Sequence, residues 1–89
     1  MRYDRMTLFG RVQGVFFRDM ARRHARRLGL MGYAKNGDDG SLEIIALGAL
    51  EKIEELFAWA KKGPPLAHVE RWIRDMIEVS ETLEDFSIR

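Results

Sequence analysis

An α+β sandwich, with two helices packed on one face of an antiparallel sheet, is the fold that this sequence predicts. Three observations carry it. Short segments alternate polar and apolar residues with the period of a half-buried strand, two longer segments repeat apolar residues at helical spacing, and Gly, Pro and Asn cluster at the junctions between them. At 89 residues the chain has enough length for one hydrophobic core and too little for a second, so residues 1–89 are expected to form a single domain.

Arg5 to Val12 alternates, with Met6, Leu8 and Val12 on one face and Arg5, Thr7 and Arg11 on the other, which predicts the first strand. Phe17, Ala21, Ala25 and Leu28 then recur at helical spacing opposite Arg22, Arg23, Arg26 and Arg27, and Gly29 or Gly32 ends that helix. Met31 to Lys35 is a short second strand. Asn36-Gly37-Asp38-Asp39-Gly40 is a turn signal leading into a third strand, Leu42 to Leu47, which buries Leu42, Ile44 and Ala46. After Gly48, Leu50, Ile53, Phe57 and Ala60 set the apolar face of a second helix closed by Gly63-Pro64-Pro65. Val69 to Val79 reads as a fourth strand, with a bulge or early end expected at Arg74 and Asp75, where charge interrupts both faces. Phe86 and Ile88 mark a short terminal strand. Strand, helix, strand, strand, helix, strand is the order of the ferredoxin-like split βαβ fold.

Composition narrows the function classes. With 46% hydrophobic and 33% charged residues the chain is that of an ordinary globular domain. It lacks both the ~18-residue apolar run of a membrane span and the roughly 7- to 15-residue apolar core of a secretory signal, so no membrane partner and a cytoplasmic location are expected. A chain without cysteine has no thiol nucleophile, disulfide or thiolate metal site, and its two histidines stand far apart, so no metal is expected. A formal net charge of +1 gives no bulk argument for a nucleic-acid partner.

The chemistry concentrates between the first strand and its helix, at Gln13-Gly14-Val15-Phe16-Phe17-Arg18. Gly14 lets the backbone turn tightly, and a loop of inward amides continued by a helix N-terminus binds anions. Arg18 falls in or near the first helical turn, where the helix dipole disfavours a cation by roughly 0.3 to 1 kcal/mol unless an anion is nearby. Such a local conflict is expected at functional sites.

The string GRVQGVFFR, Gly10 to Arg18, closely resembles the signature of the acylphosphatase family, and GYAKNGDDGSLEI, Gly32 to Ile44, resembles its second block. LEDFSIR at the end is similar to the family's C-terminus. The resemblance implies a hydrolase of acyl phosphates that uses neither metal nor cofactor. Its partners are then a small acyl phosphate and the phosphate anion, with no nucleic acid, and a monomer is expected. By the same resemblance, Arg18 and the main chain of Gln13, Gly14, Val15, Phe16 and Phe17 hold the phosphate, and Asn36 positions the attacking water.

Elementary chemistry agrees with each role. A bidentate guanidinium matches phosphate oxygens where lysine offers only a point charge. An amide orients water without setting a negative charge beside phosphate. The carboxylate leaving group is a weak base and needs no general acid. If the third strand lies between the first and second, their carboxyl ends share one sheet edge, about 10 Å apart.

Other features read more plainly. Asp38 and Asp39 between two glycines fit a solvated turn better than a metal or acid–base pair. His24 lies at the boundary of the first helix and His68 before the fourth strand, neither with a catalytic partner in sequence. The Arg22, Arg23, Arg26, Arg27 stripe is read as a solvated helix face. The competing reading is a non-enzymatic RNA-binding module, since ferredoxin-like sheets stack bases on exposed aromatics. Here the first and third strands offer only Phe9 and no aromatic pair.

Overall fold

The computed structural model describes residues 2–89, in the order β1 (Arg2–Arg11), α1 (Phe17–Arg27), β2 (Met31–Asn36), β3 (Leu42–Leu47), α2 (Leu50–Lys62), β4 (His68–Glu78) and β5 (Phe86–Ile88). The sheet runs β4-β1-β3-β2-β5. β1, β3, β2 and β4 pair antiparallel as expected, and β5 joins β2 in parallel through Gly32–Phe86 and Ala34–Ile88. With β3 antiparallel to both β1 and β2, those two strands point the same way and end on one edge.

Both helices pack on the same sheet face. Phe17, Ala21 and Ala25 of α1 and Ile53, Leu56, Phe57 and Ala60 of α2 meet Met6, Leu8, Val12, Ala34, Leu42, Ile44 and Ala46 in one core. Phe17 meets Trp59 edge-on, with ring centroids 5.4 Å apart. Gly29, at φ 72°, supplies the left-handed step that stops α1, and the Leu30 amide returns to the Ala25 carbonyl at 2.9 Å.

Four details depart from the sequence reading. β1 begins at Arg2 rather than Arg5, which brings Tyr3 into a second cluster on the opposite sheet face with Ile45, Val79 and Leu83. Ile45 is thus buried beside Leu42, Ile44 and Ala46, because the segment after β4 covers part of the face that alternation assigns to solvent. Leu50, expected in the apolar face of α2, is 65% exposed, whereas Leu56, absent from that expected face, is fully buried.

The irregularity expected at Arg74 and Asp75 lies instead at Glu70. Phe9 opposes Arg71 and Gly10 opposes Val69, so Glu70 is the extra residue. Arg74 and Asp75 stay in regular register because each finds a partner. Arg74 Nη1 lies 2.6 Å from Glu54, with its guanidinium over the Phe57 ring, and Arg5 grips Asp75 with two bonds of 2.8 and 2.6 Å.

Candidate functional site

The loop from Val12 to Phe16 crosses from β1 to α1 with two left-handed residues, Gly14 at φ 72° and Phe16 at φ 64°, on either side of Val15. Such alternation turns successive amides toward one concave side. Phe16 is the residue before the first turn of α1 and its side chain makes no capping bond; only its carbonyl is engaged, by the Met20 amide at 3.1 Å. Residues 13–17 donate no main-chain hydrogen bond among those that join loops, turns and caps. Their N–H groups are thus uncommitted by such bonds beside the α1 N-terminus, whose dipole favours an anion.

Arg18 is the second residue of α1. Its Nη1 donates to the main-chain oxygen of Arg89 at 2.8 Å, and among the described residues no Asp or Glu side chain pairs with it. Its helical neighbours differ. Arg22 and Arg23 both pair with Asp19, at 2.8 and 3.1 Å, and Arg26 pairs with Asp85 at 2.7 Å. Two carboxylates, Asp19 and Asp85, thus offset part of the charge of the four-arginine stripe, and neither pairs with Arg18.

Asn36 ends β2 opposite Leu42 of β3. Its Oδ1 is buried and has no hydrogen-bond partner in the protein. A buried acceptor left unpaired costs roughly 1 to 3 kcal/mol, so the position fits a donor brought in by substrate or water. Beyond Asn36, the Gly37 amide donates to the Ser41 carbonyl at 2.8 Å, while Asp39 Oδ1 accepts from the Ser41 amide and hydroxyl at 3.0 and 2.6 Å. Those bonds hold the Asp39 carboxyl below its ordinary range, the hydroxyl contributing most. Asp39 therefore serves the turn.

A cleft of about 270 Å³ gathers these groups, lined by Val12, Gly14, Phe16, Phe17, Arg18, Asp19, Asn36 and Ile88. Since β3 lies between β1 and β2, the strand ends are about 10 Å apart at ~4.8 Å per strand. Arg18, Asn36, Gly14, Phe16 and Phe17 converge here as the sequence reading expected. Gln13 joins by a route it did not foresee, its side-chain Nε2 donating to the carbonyls of Gly37 and Ser41 at 2.8 and 2.9 Å. Phe17 is 2% exposed and belongs to the core, whereas Phe16 is 72% exposed.

Ile88 and the Arg89 main chain enter the site because β5 docks beside β2, a pairing that no local signal in three residues announces. The histidines stand apart from this cleft: His24 stacks on Trp59 at 4.4 Å between ring centroids. Phe9, the one aromatic offered to bases, is half-buried and covered by the Arg71 guanidinium at 3.8 Å. Among the described residues no group of three His, Cys, Asp or Glu side chains converges to hold a metal ion, and no helix is long and apolar enough to cross a membrane.

The family model described as Acylphosphatase matches residues 5–88. The chain is 49% identical over 82 residues to an acylphosphatase of Thiobacillus denitrificans, covering 92% of this chain and 86% of that one. Its fold superposes on the crystal structure of acylphosphatase from Bacillus subtilis with TM-score 0.90 and 34% identity, covering 100% and 99% of the two chains. An acylphosphatase structure from Coxiella burnetii gives TM-score 0.87 and 38% identity over 98% and 90%.

Proposed function

The chain belongs to the acylphosphatase family and is a hydrolase of acyl phosphates, and from that premise we propose that the cleft at the carboxyl ends of β1 and β2 is where the reaction runs. Arg18 and the main-chain amides of Gln13, Gly14, Val15, Phe16 and Phe17 hold the phosphoryl group, and Asn36 orients the attacking water. The observation that carries this assignment is the convergence on one cleft of an arginine that no Asp or Glu side chain pairs with among the described residues and a buried amide oxygen without a hydrogen-bond partner.

In the reaction, the water oxygen attacks phosphorus in line and the bond from phosphorus to the acyl oxygen breaks. Its electron pair leaves with the carboxylate: an acyl phosphate dianion and water give a carboxylate and dihydrogen phosphate. Negative charge spreads over the equatorial phosphoryl oxygens as bonds exchange. Fixed amides and the Arg18 guanidinium meet that charge without having to reorganise, which is the main source of rate in such sites. Asn36 Oδ1 accepts a hydrogen bond from the water and so aims a lone pair of the water oxygen at phosphorus. The carboxylate departs without protonation, and no nucleophilic side chain is called on.

Within the same reading, residues 1–89 act as one domain and as a monomer, and the enzyme meets its water-borne substrate in the cytoplasm. The test is hydrolysis of benzoyl and acetyl phosphate, with a simple phosphate monoester in parallel, by wild type, Arg18→Ala and Asn36→Ala. Each variant is expected to keep its fold by circular dichroism and to lose on the order of a hundredfold or more in rate. Full activity in both folded variants refutes the assignment, and product phosphate should inhibit the Arg18 variant less.

A further inference from the structure

We infer that Phe16 forms the acyl side of the site and makes the enzyme select acyl phosphates whose acyl group is aromatic or bulky and apolar. The inference rests on the cleft assignment above and names what that assignment leaves open, the group attached to the phosphate. A phosphate dianion is the same on every substrate, so selection among acyl phosphates beyond that set by the basicity of the leaving carboxylate must come from surface that meets the acyl carbons.

The cleft supplies one such surface. Of its eight lining residues, Val12 and Phe17 are core side chains at 1% and 2% exposure, and Phe16 alone is a largely exposed apolar side chain, at 72%. Ile88 adds a half-buried aliphatic wall. The remaining side chains that bound the cleft, Arg18, Asp19 and Asn36, are polar.

The backbone makes the choice of residue informative. Phe16 has φ 64° and ψ 19°, a conformation that costs a residue other than glycine or asparagine strain and that bulky side chains rarely adopt. Glycine would satisfy the loop without strain, and the ring makes no contribution to the core. The fold thus holds an aromatic ring where neither local conformation nor packing asks for one, beside an anion site.

Chemistry decides which part of the substrate reaches it. In-line attack puts the leaving carboxylate opposite the water. The water is assigned to Asn36, so the acyl group extends away from Asn36, and Phe16 is the largely exposed apolar side chain of the cleft that can meet it. A planar acyl group stacks on the ring and removes apolar surface of both from water. A methyl group covers little of it. Because the acyl group is a leaving group in the same step, the contact acts on the transition state and is read in kcat/KM.

The experiment compares kcat/KM for benzoyl phosphate and acetyl phosphate in wild type, Phe16→Gly, Phe16→Leu and Phe16→Tyr. A ratio of two substrates on one sample does not depend on the fraction folded. Glycine suits the left-handed backbone, and Phe16→Leu gives a second reading should the glycine variant lose all activity. The benzoyl-to-acetyl ratio is expected to fall about tenfold in Phe16→Gly, to fall by less in Phe16→Leu, and to stay within about twofold of wild type in Phe16→Tyr. A ratio unchanged within about twofold in both Phe16→Gly and Phe16→Leu overturns the role of Phe16. Wild-type hydrolysis of both substrates, abolished by Arg18→Ala, with that unchanged ratio, would sink this inference alone; hydrolysis indifferent to Arg18 would sink the cleft assignment beneath it.

Discussion

The side-chain amide of Gln13 donates both of its hydrogens across the site, to the carbonyl of Gly37 at 2.8 Å and to that of Ser41 at 2.9 Å. Gly37 follows Asn36 directly, so one side chain ties the anion loop to the strand end that carries the amide. Gln13→Leu removes two neutral hydrogen bonds and leaves two carbonyls short of a donor, an expected cost of about 1 to 3 kcal/mol in unfolding by urea. The kcat is expected to fall by about tenfold or more, because sub-ångström placement of attacking and receiving groups governs such steps. A variant that unfolds more easily yet turns over at the wild-type rate would show the tie to be structural only.

Arg18 tests the fork geometry of the guanidinium. Lysine keeps the positive charge but offers one point donor, and it gives up the 2.8 Å bond to the Arg89 main-chain oxygen that fixes the arginine's direction. Arg18→Lys should therefore retain part of the phosphate affinity and lose on the order of tenfold to a hundredfold in kcat. Inhibition constants for inorganic phosphate, measured beside kcat, separate the two effects.

Asn36→Asp is nearly isosteric and sets a carboxylate at a buried position facing a phosphate dianion. Two negative charges about 4 Å apart repel by roughly 4 kcal/mol near a protein surface. Activity near neutral pH should drop by about a hundredfold or more, and some should return on acidification as the carboxyl protonates. An activity profile flat with pH in this variant would speak against a water-orienting amide.

His24 gives a pH dependence of stability. Burial against Trp59, with Arg27 alongside, holds its imidazolium pKa below the usual value, and Glu55 acts weakly in the opposite sense. The folded protein then binds the proton less readily than the unfolded chain does. The contribution of the neutral ring is complete above the unfolded value of about 6.5 and is lost as pH falls below it. Urea midpoints measured between about pH 7.5 and 5.5 should decline, and His24→Phe should flatten that decline. An identical slope in the variant would assign the effect elsewhere.

Much of the fold is legible locally. Alternation locates β1 and β3, helical spacing locates α1 and α2, and Gly29 and Gly63 stop the helices where a left-handed step is needed, at φ 72° and 74°. The errors fall where a distant segment overrides a local pattern. Charge at Arg74 and Asp75 predicts a break in β4, and the strand continues because Glu54 and Arg5 meet those charges from other elements. Tyr3 precedes the segment whose alternation predicts β1, and Ile45 falls outside the buried set Leu42, Ile44 and Ala46, yet both are buried in a cluster with Val79 and Leu83 of the chain after β4.

The site divides in the same way. The sequence by itself determined the residue types and the turn chemistry: a glycine loop leading into a helix N-terminus, an arginine in its first turn, and an asparagine closing a strand. These are local properties, set by φ/ψ preference and hydrogen-bonding capacity over a few residues. Only the tertiary structure decided that β3 lies between β1 and β2 and brings Arg18 and Asn36 to one cleft. It alone decided that the Gln13 side chain spans the site, that Arg89 steadies the guanidinium, and that Phe16 stays exposed beside the cleft. Each depends on contacts between segments tens of residues apart, whose geometry follows from sheet order and core packing, and no window of sequence contains both partners.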